Sequence, residues 1–417
     1  MSHAALPRDS PTRRRAAFPA AFAVAIVLVA ANLRPAVASV GPVLASVRHG
    51  LHLSAVEASL LTSVPVICFG ALAPVGPALS RAAGMRRAVG ALVACILVGL
   101  AVRVGPDTAT LFTGTVLAAG GIAAGNVLLP ALIKHNFAGH TGRVMGLYTT
   151  ALTGSAAVAA GVTVPVSDAL GGGWRGGLGI WAALAALALL VWLPCMREKE
   201  AVVARSPGHL AVVLRDPVAW AVTVYMGLQS LGFYSILEWL PTLYRDHGYS
   251  PATAGALLSL SAIVQTPVAL VVPSLATRVR DQGVLVAGSV ALTAIGFAGL
   301  LAAPTTAAYL WVVVLGLGQG AAFPIALTLI LVRTRTTGVT TQLSAMAQSV
   351  GYLIAAAGPL LVGLLRGTSG GWALPLAVLL ALLAPQLFTG LAAGRPRYVA
   401  EPDHPAADHP SATATTR

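Results

Sequence analysis

Arg34 is the residue of this chain best placed to do chemistry. It lies in Ala31-Asn32-Leu33-Arg34-Pro35-Ala36, well inside an apolar run from about Ala16 to Leu44. An arginine at the centre of a membrane helix costs about 2.5–3.5 kcal/mol on insertion scales, so a wet cavity or a partner is expected there, not lipid. Its guanidinium is permanently charged and offers a planar fork of donors, which suits a carboxylate or another small planar anion. A structural use competes with this reading: Arg34 could cap carbonyls opened by Pro35, or pair with an acid. Acids are scarce, however. Glu57, Asp168 and Glu238 are the candidates, each near the external end of its apolar run. A fixed cation with no acid at its own depth favours an anionic or neutral polar ligand and disfavours an organic cation.

Uncharged polar residues at comparable depth fill out the constellation. Asn32 lies two residues before Arg34, Asn126 lies in the fourth run, Tyr148 in the fifth, and Gln229, Ser230 and Tyr234 in the seventh. Gln265, Gln319, Gln348 and Tyr352 lie in the eighth, tenth and eleventh. Buried amides need partners, which a hydrated cavity or a neighbouring helix can supply. The expected substrate-binding set is Arg34, Asn32, Asn126, Tyr148, Gln229, Tyr234, Gln319 and Gln348, with Glu238 as an external gate or proton site. His49, His52 and Glu57 have loose metal-ligand spacing but sit at a loop and a helix start, so no metal is expected. Gly316-Leu317-Gly318-Gln319-Gly320 lies inside an apolar run and follows no strand, so it is not a dinucleotide loop. No nucleophile has a general base beside it in these runs, and neither catalysis nor a cofactor is expected.

The elements that must hold these residues follow from composition. Of 417 residues, 57% are hydrophobic and 9% charged, with a mean hydropathy of +0.82. Soluble domains carry about 25% charged residues, so a water-facing surface cannot be made from this chain. Cys68, Cys95 and Cys195 are scattered and form no CxxC pair, which leaves them as small apolar side chains. After the first run come others near 54–79, 87–104, 108–133, 143–167 and 174–195, then 217–243, 250–276, 282–303, 307–332, 340–365 and 371–393. Twelve transmembrane helices follow, at about 20 apolar residues each.

Basic residues test that count. With the N-terminus inside, twenty of the 26 Lys+Arg fall in cytoplasmic segments, five in external ones (Arg48, Arg103, Arg175, Arg245, Arg366), and Arg34 alone stays within a span. A missed helix would invert every later loop and spoil the asymmetry, so both termini are expected in the cytoplasm. The formal charge of +13 is accounted for by those loops, without a nucleic-acid partner. Arg13, Arg14 and Arg15 flank a first run too long for a signal peptide, which reads as a retained helix.

The halves also echo each other. Gly172-Gly173-Trp174 recurs as Gly370-Gly371-Trp372, Ala159-Ala160-Gly161 as Ala356-Ala357-Gly358, and Leu53-Ser54 with Leu61 as Tyr249-Ser250 with Leu257. Displacements near half the chain argue for two parallel six-helix repeats. The expected organisation is a cytoplasmic tail over 1–16, a bundle over 17–196, a linker over 197–215, a bundle over 216–395 and a disordered tail over 396–417.

This pattern resembles the major facilitator superfamily. The loop Gly76-Pro77-Ala78-Leu79-Ser80-Arg81-Ala82-Ala83-Gly84-Met85-Arg86-Arg87 is similar to that family's signature after its second helix, with Ser80 where an aspartate is usual and one extra residue before the glycine. Asn32-Leu33-Arg34-Pro35, Gly125-Asn126-Val127-Leu128-Leu129-Pro130 and Met226-Gly227-Leu228-Gln229-Ser230 resemble the cyanate permease and 2-nitroimidazole transporter branch. The resemblance implies an all-α, twelve-helix secondary transporter in a bacterial-type plasma membrane. It would work as a monomer, moving a small polar or anionic planar compound by alternating access. Proton-coupled multidrug efflux and a non-transporting membrane sensor are the competing functions.

Overall fold

The computed structural model describes residues 20–171, 173–197 and 209–400. The basic cluster Arg13–Arg15, Gly172 of the repeated motif, most of the linker and the tail beyond residue 400 lie outside the described residues.

Helices dominate, in chain order. The first crossing is α1 (Ala20–Ala30), α2 (Pro35–Ala38) and α3 (Val40–Gly50), and the second is α4 (Ala55–Leu72) and α5 (Val75–Ala83). Then come α6 (Met85–Val102), α7 (Thr108–Asn136), α8 (Thr141–Ala169) and α9 (Gly173–Trp192), which runs on as a 3-10 turn over Leu193–Arg197. The linker contributes α10 (His209–Arg215). The second half is α11 (Pro217–Asp246), α12 (Pro251–Ala276), α13 (Gly283–Ala302), α14 (Ala308–Val332), α15 (Thr337–Ser369) and α16 (Ala373–Gly394). Ten of these spans are long and apolar enough to cross a bilayer, or eleven if the pair Leu60–Leu72 and Val75–Ala83 is one bent span. The twelfth is α11, whose apolarity is diluted by Gln229, Ser230, Tyr234 and Glu238.

Side chains start the helices where orphan amides need acceptors. Ser54 and Glu57 form a reciprocal capping box on α4, and Asp107 and Thr110 form another on α7. The Thr110 backbone N–H holds the Asp107 carboxyl below the usual carboxylate range. Glu57, considered above as a metal ligand, is thus engaged at a helix start. Asp216 caps α11 just ahead of Pro217.

Two crossings are not continuous helices. In the first, Asn32 N–H bonds Val29 O and Leu33 N–H bonds Ala30 O, both at 3.0 Å, which tightens the chain into a turn before Pro35 restarts it. Pro35 has no N–H to continue the ladder, so the helix reopens with Arg34 as N-cap. The second crossing bends by 52° at Ala73 and Pro74. Other prolines, such as Pro130, Pro241 and Pro324, stay inside unbroken helices.

The twelve crossings form two six-helix bundles. Their mutual contacts gather toward the face that carries the start of α1 and the end of α16, hereafter the terminal face. Lys134 Nζ donates to Leu331 O and Thr334 Oγ1, each at 2.8 Å, and to the Thr334 carbonyl. Thr149 Oγ1 donates to Ala269 O at 2.6 Å. At Gly146 a Cβ would collide with the carbonyl of Leu270, so only glycine lets α8 lie this close to α12. Toward the opposite face α3 packs on α4, α8 and α9 of its own half, and α11 on helices of the second half. Among the described residues the hydrogen bonds between the bundles thus lie on the terminal face and at mid-depth, and the other face, where α3 keeps to its own half, is hereafter the parted side.

Two expectations need refinement. Arg103 does begin the turn after α6, as its C-cap, but its side chain is fully buried and does not lie free in a loop. The tail is not wholly disordered either, because Val399 is buried and donates its N–H to Arg333 O at 2.8 Å. Ala400 N–H reaches Asp216 Oδ2 at 2.8 Å, which straps residues 396–400 under the second bundle.

Candidate functional site between the bundles

The broken first crossing puts Arg34 at the boundary between the halves. As N-cap of α2 it leaves the helical path, and its half-buried side chain reaches across to α11. Arg34 Nη1 donates to Tyr234 Oη at 3.0 Å. Its Cζ lies 5.4 Å from the centroid of the Phe323 ring on α14. Tyr352 of α15 and Tyr148 of α8 lie nearby. No carboxylate pairs with Arg34 among the described residues. A guanidinium so placed keeps donors free for a ligand, with aromatic faces around it.

The tyrosines form a connected wall. Tyr234 and Tyr352 stand 6.4 Å apart between ring centroids, and Phe69 of α4 lies 5.3 Å from Tyr352. One turn before Tyr352 on α15, Gln348 Nε2 donates to Asn126 O at 2.7 Å and so bridges the halves. Several buried polar atoms here have no protein partner: both amide atoms of Asn126, the hydroxyls of Tyr148, Tyr352, Thr150 and Ser349, and Gln348 Oε1. Buried polar groups are rarely left bare, so such a cluster calls for water or ligand.

The expected set therefore divides. Arg34, Tyr148, Tyr234, Asn126 and Gln348 come together between the bundles. Asn32 does not join them: its amide donates to Leu28 O at 2.8 Å and Leu184 O at 3.4 Å, tying the helix break to α9. Gln229 and Gln319 line a narrow cavity inside the second bundle, with Thr293 and Gln386. There Gln229 Nε2 is engaged by Met226 O, Met226 Sδ and Ser230 Oγ, whereas both amide atoms of Gln319 lack protein partners. Glu238 is exposed one turn beyond Tyr234 on the same face of α11, toward the parted side, and has no hydrogen-bond or salt-bridge partner among the described residues. Phe323 and Phe69 carried no polar mark in the sequence. Tyr352 did have a signal, since it follows Gln348 by four residues and thus shares its helix face.

Known proteins bear on this geometry. The family model described as Major Facilitator Superfamily matches residues 20–359. An uncharacterized transporter of Bacillus subtilis, YycB, is 40% identical over 90% of this chain and 93% of its own length. The 2-nitroimidazole transporter of Escherichia coli is 36% identical over 90% of this chain and 95% of its own. The cyanate transport protein CynX of Escherichia coli is 34% identical over 83% and 90%. Among solved structures, the proton:xylose symporter XylE aligns with a TM-score of 0.72 at 13% identity, covering 91% of this chain and 97% of that one, which speaks to fold alone. Two bundles of six helices, a signature loop after the second crossing and this family match lead to one conclusion: the chain belongs to the Major Facilitator Superfamily of membrane transporters.

Proposed function

We propose that the protein is a secondary active transporter that carries a small planar polar or anionic compound, cyanate-like or nitroimidazole-like, by alternating access. The observation that carries this reading is Arg34: a guanidinium between the bundles, without an acid partner among the described residues, in contact with Tyr234 and Phe323 and with Tyr148 and Tyr352 nearby. The fork would take the ligand's oxygen or nitrogen pair, and the aromatic faces would take its plane. Asn126 and Gln348, with unpartnered amide atoms, would orient it from the terminal side. Relatives named for 2-nitroimidazole and cyanate transport support the size and flatness of the cargo.

The conformation fits an outward-facing state, given the expected membrane orientation. Basic residues concentrate in segments on the terminal face, which would lie in the cytoplasm of a bacterial cell. The parted side would then open outward, and Arg34 would be the cation that an incoming anion meets between the bundles. Ligand bridging Arg34 to the second bundle would favour closure, because the closed state adds contacts that the open state lacks.

Proteoliposome uptake of 2-nitroimidazole and cyanate tests the reading. Arg34→Ala is expected to insert and stay folded yet lose flux; flux at the wild-type level would remove Arg34 from the site. Proton-coupled efflux is the second reading, favoured by the exposed, partnerless Glu238 in line with Tyr234. Export of lipophilic cations lost in Glu238→Gln but retained in Arg34→Ala would establish it instead.

A further inference from the structure

Arg103 is a second guanidinium buried in the first bundle, and its contacts are not those of a loop residue. Its Nη1 donates to Ala36 O at 2.6 Å; its Nη2 donates to Ser39 Oγ at 3.2 Å and Leu178 O at 3.1 Å. It is 0% exposed, and no carboxylate pairs with it among the described residues. Two of its three acceptors belong to the restarted first crossing: Ala36 lies in α2, and Ser39 is the C-cap of α2. The third belongs to α9. Late carbonyls of a one-turn helix lack a full set of intrahelical donors, and Arg103 supplies one from another helix.

A glycine sets the backbone position from which this side chain turns inward. Where α6 meets α7, a Cβ at Gly114 would overlap the backbone of Arg103 and Gly99, so the end of α6 can press against α7 only because residue 114 is glycine. Beside the guanidinium, Val37, Pro65 and Thr115 line a narrow void. A lysine there would bring one compact ammonium to acceptors that the fork reaches on three separate residues.

The chain geometry links Arg103 to Arg34. Arg34 is the N-cap of the turn whose later carbonyl Arg103 grips, and Arg34 O accepts from Val37 N–H and Ala38 N–H, each at 3.0 Å. Rotation or loosening of this one turn would swing the Arg34 side chain away from Tyr234. We infer that Arg103 is a positioning residue for substrate recognition: its fork clamps α2 to α6 and α9 and thereby fixes the direction in which Arg34 presents its guanidinium. The inference rests on the proposed role of Arg34, and it assigns to a buried arginine outside the site the task of holding that site's geometry.

Two readouts on the full-length protein test it. The first, amide exchange over residues 33–40, needs no ligand. Arg103→Met is expected to speed exchange there about tenfold, with the rest of the first bundle little changed. The second is uptake of 2-nitroimidazole and cyanate. Its apparent KM is expected to rise about tenfold in Arg103→Met and less in Arg103→Lys, with turnover per folded molecule nearly kept. Ser39→Ala, which removes one of three acceptors, is expected to give the smallest change in both readouts. It and Arg103→Lys decide the matter if Arg103→Met does not fold. Unchanged exchange over 33–40, or a loss of folded protein at constant KM, would overturn the inference. Wild-type KM in Arg34→Ala would instead overturn the parent reading, while the exchange result would still decide whether Arg103 holds the turn.

Discussion

The first and seventh crossings occupy equivalent places in the two bundles, yet they are built differently. The first is cut into α1, α2 and α3, and carries Arg34 at the cut. The seventh, α11, runs unbroken over Pro217–Asp246 despite Pro241, and answers with Tyr234. A continuous helix aims a side chain by its rotation alone, whereas a break lets the N-cap turn its side chain out of the helical path. The cost of the break is a set of carbonyls and amides without helical partners, and here the side chains of Asn32 and Arg103 satisfy part of it by donating to Leu28 O and Ala36 O. The cation thus sits on the element that can be re-aimed, and its hydroxyl partner on the rigid one. Small movements of α2 can then change how the halves engage without remodelling either bundle.

The sharpest way to break this comparison is to remove the cation. Arg34→Ala is expected to lower uptake about a hundredfold or more in proteoliposomes, because two charge-assisted hydrogen bonds of about 1.5–3 kcal/mol each disappear from the bound state. Its melting temperature should change little, since loss of the Tyr234 bond and the Phe323 contact is offset by removal of a half-buried charge that has no acid partner among the described residues. Tyr234→Phe touches the rigid side and should cost less, about tenfold in apparent affinity, because Arg34 loses one acceptor but keeps the ring of Phe323. If Tyr234→Phe proved as damaging as Arg34→Ala, α11 would be an equal partner in binding and not the fixed wall.

Much of this was legible in the residues, and the remainder was hidden for identifiable reasons. Apolar runs and the side preference of lysine and arginine are properties of single segments, so the number of crossings and the importance of Arg34 could be read directly. Partnership across the halves is not local: Arg34 and Tyr234 are 200 residues apart in the chain. Helix rotation decides which amides face the interface, and small errors in it send Gln229 and Gln319 into a cavity of the second bundle. Asn32 looked like a ligand neighbour because it lies two residues from Arg34, but residues two apart in a turn point in different directions, and it faces α9. Arg103 was masked by Gly105-Pro106-Asp107 just after it, a loop signal that says nothing about whether the preceding side chain folds back inward. Phe323 offers only a ring, and rings are common in membrane helices.

The comparison extends to how the halves are held. On the terminal face Lys134 of α7 donates to acceptors at the end of α14, and among the described residues no such hydrogen bond joins the far ends of the first and seventh crossings. Lys134→Met should therefore release the closed side and raise the population of the opposite conformation, by about tenfold if one charge-assisted bond of about 1.5 kcal/mol is decisive. Spin labels at the exposed His49 and Arg245, near the ends of α3 and α11, would report it as a new short-distance component. An unchanged distance distribution would mean that the α8–α12 and α4–α15 contacts alone set the conformation.

The smallest effect is expected where the two bundles end. After α9, Met196 tucks against Gly90 of the first bundle; after α16, Val399 tucks against Arg333 of the second, and Arg335 stacks over Tyr398 with its Cζ 4.6 Å from the ring centroid. Among the described residues, the contacts named here keep each segment on the terminal side of its own bundle. Tyr398→Ala removes a surface cation–π contact worth about 0.5–1 kcal/mol and leaves the Val399 and Ala400 backbone bonds in place. The melting temperature should drop by a degree or two, about what that energy gives in a chain of this size, with uptake kinetics unchanged. A change in turnover without a change in melting temperature would give the strap a role in the rocking of the halves, because a contact confined to one bundle can affect transport only if that bundle's terminal side must deform as the halves move.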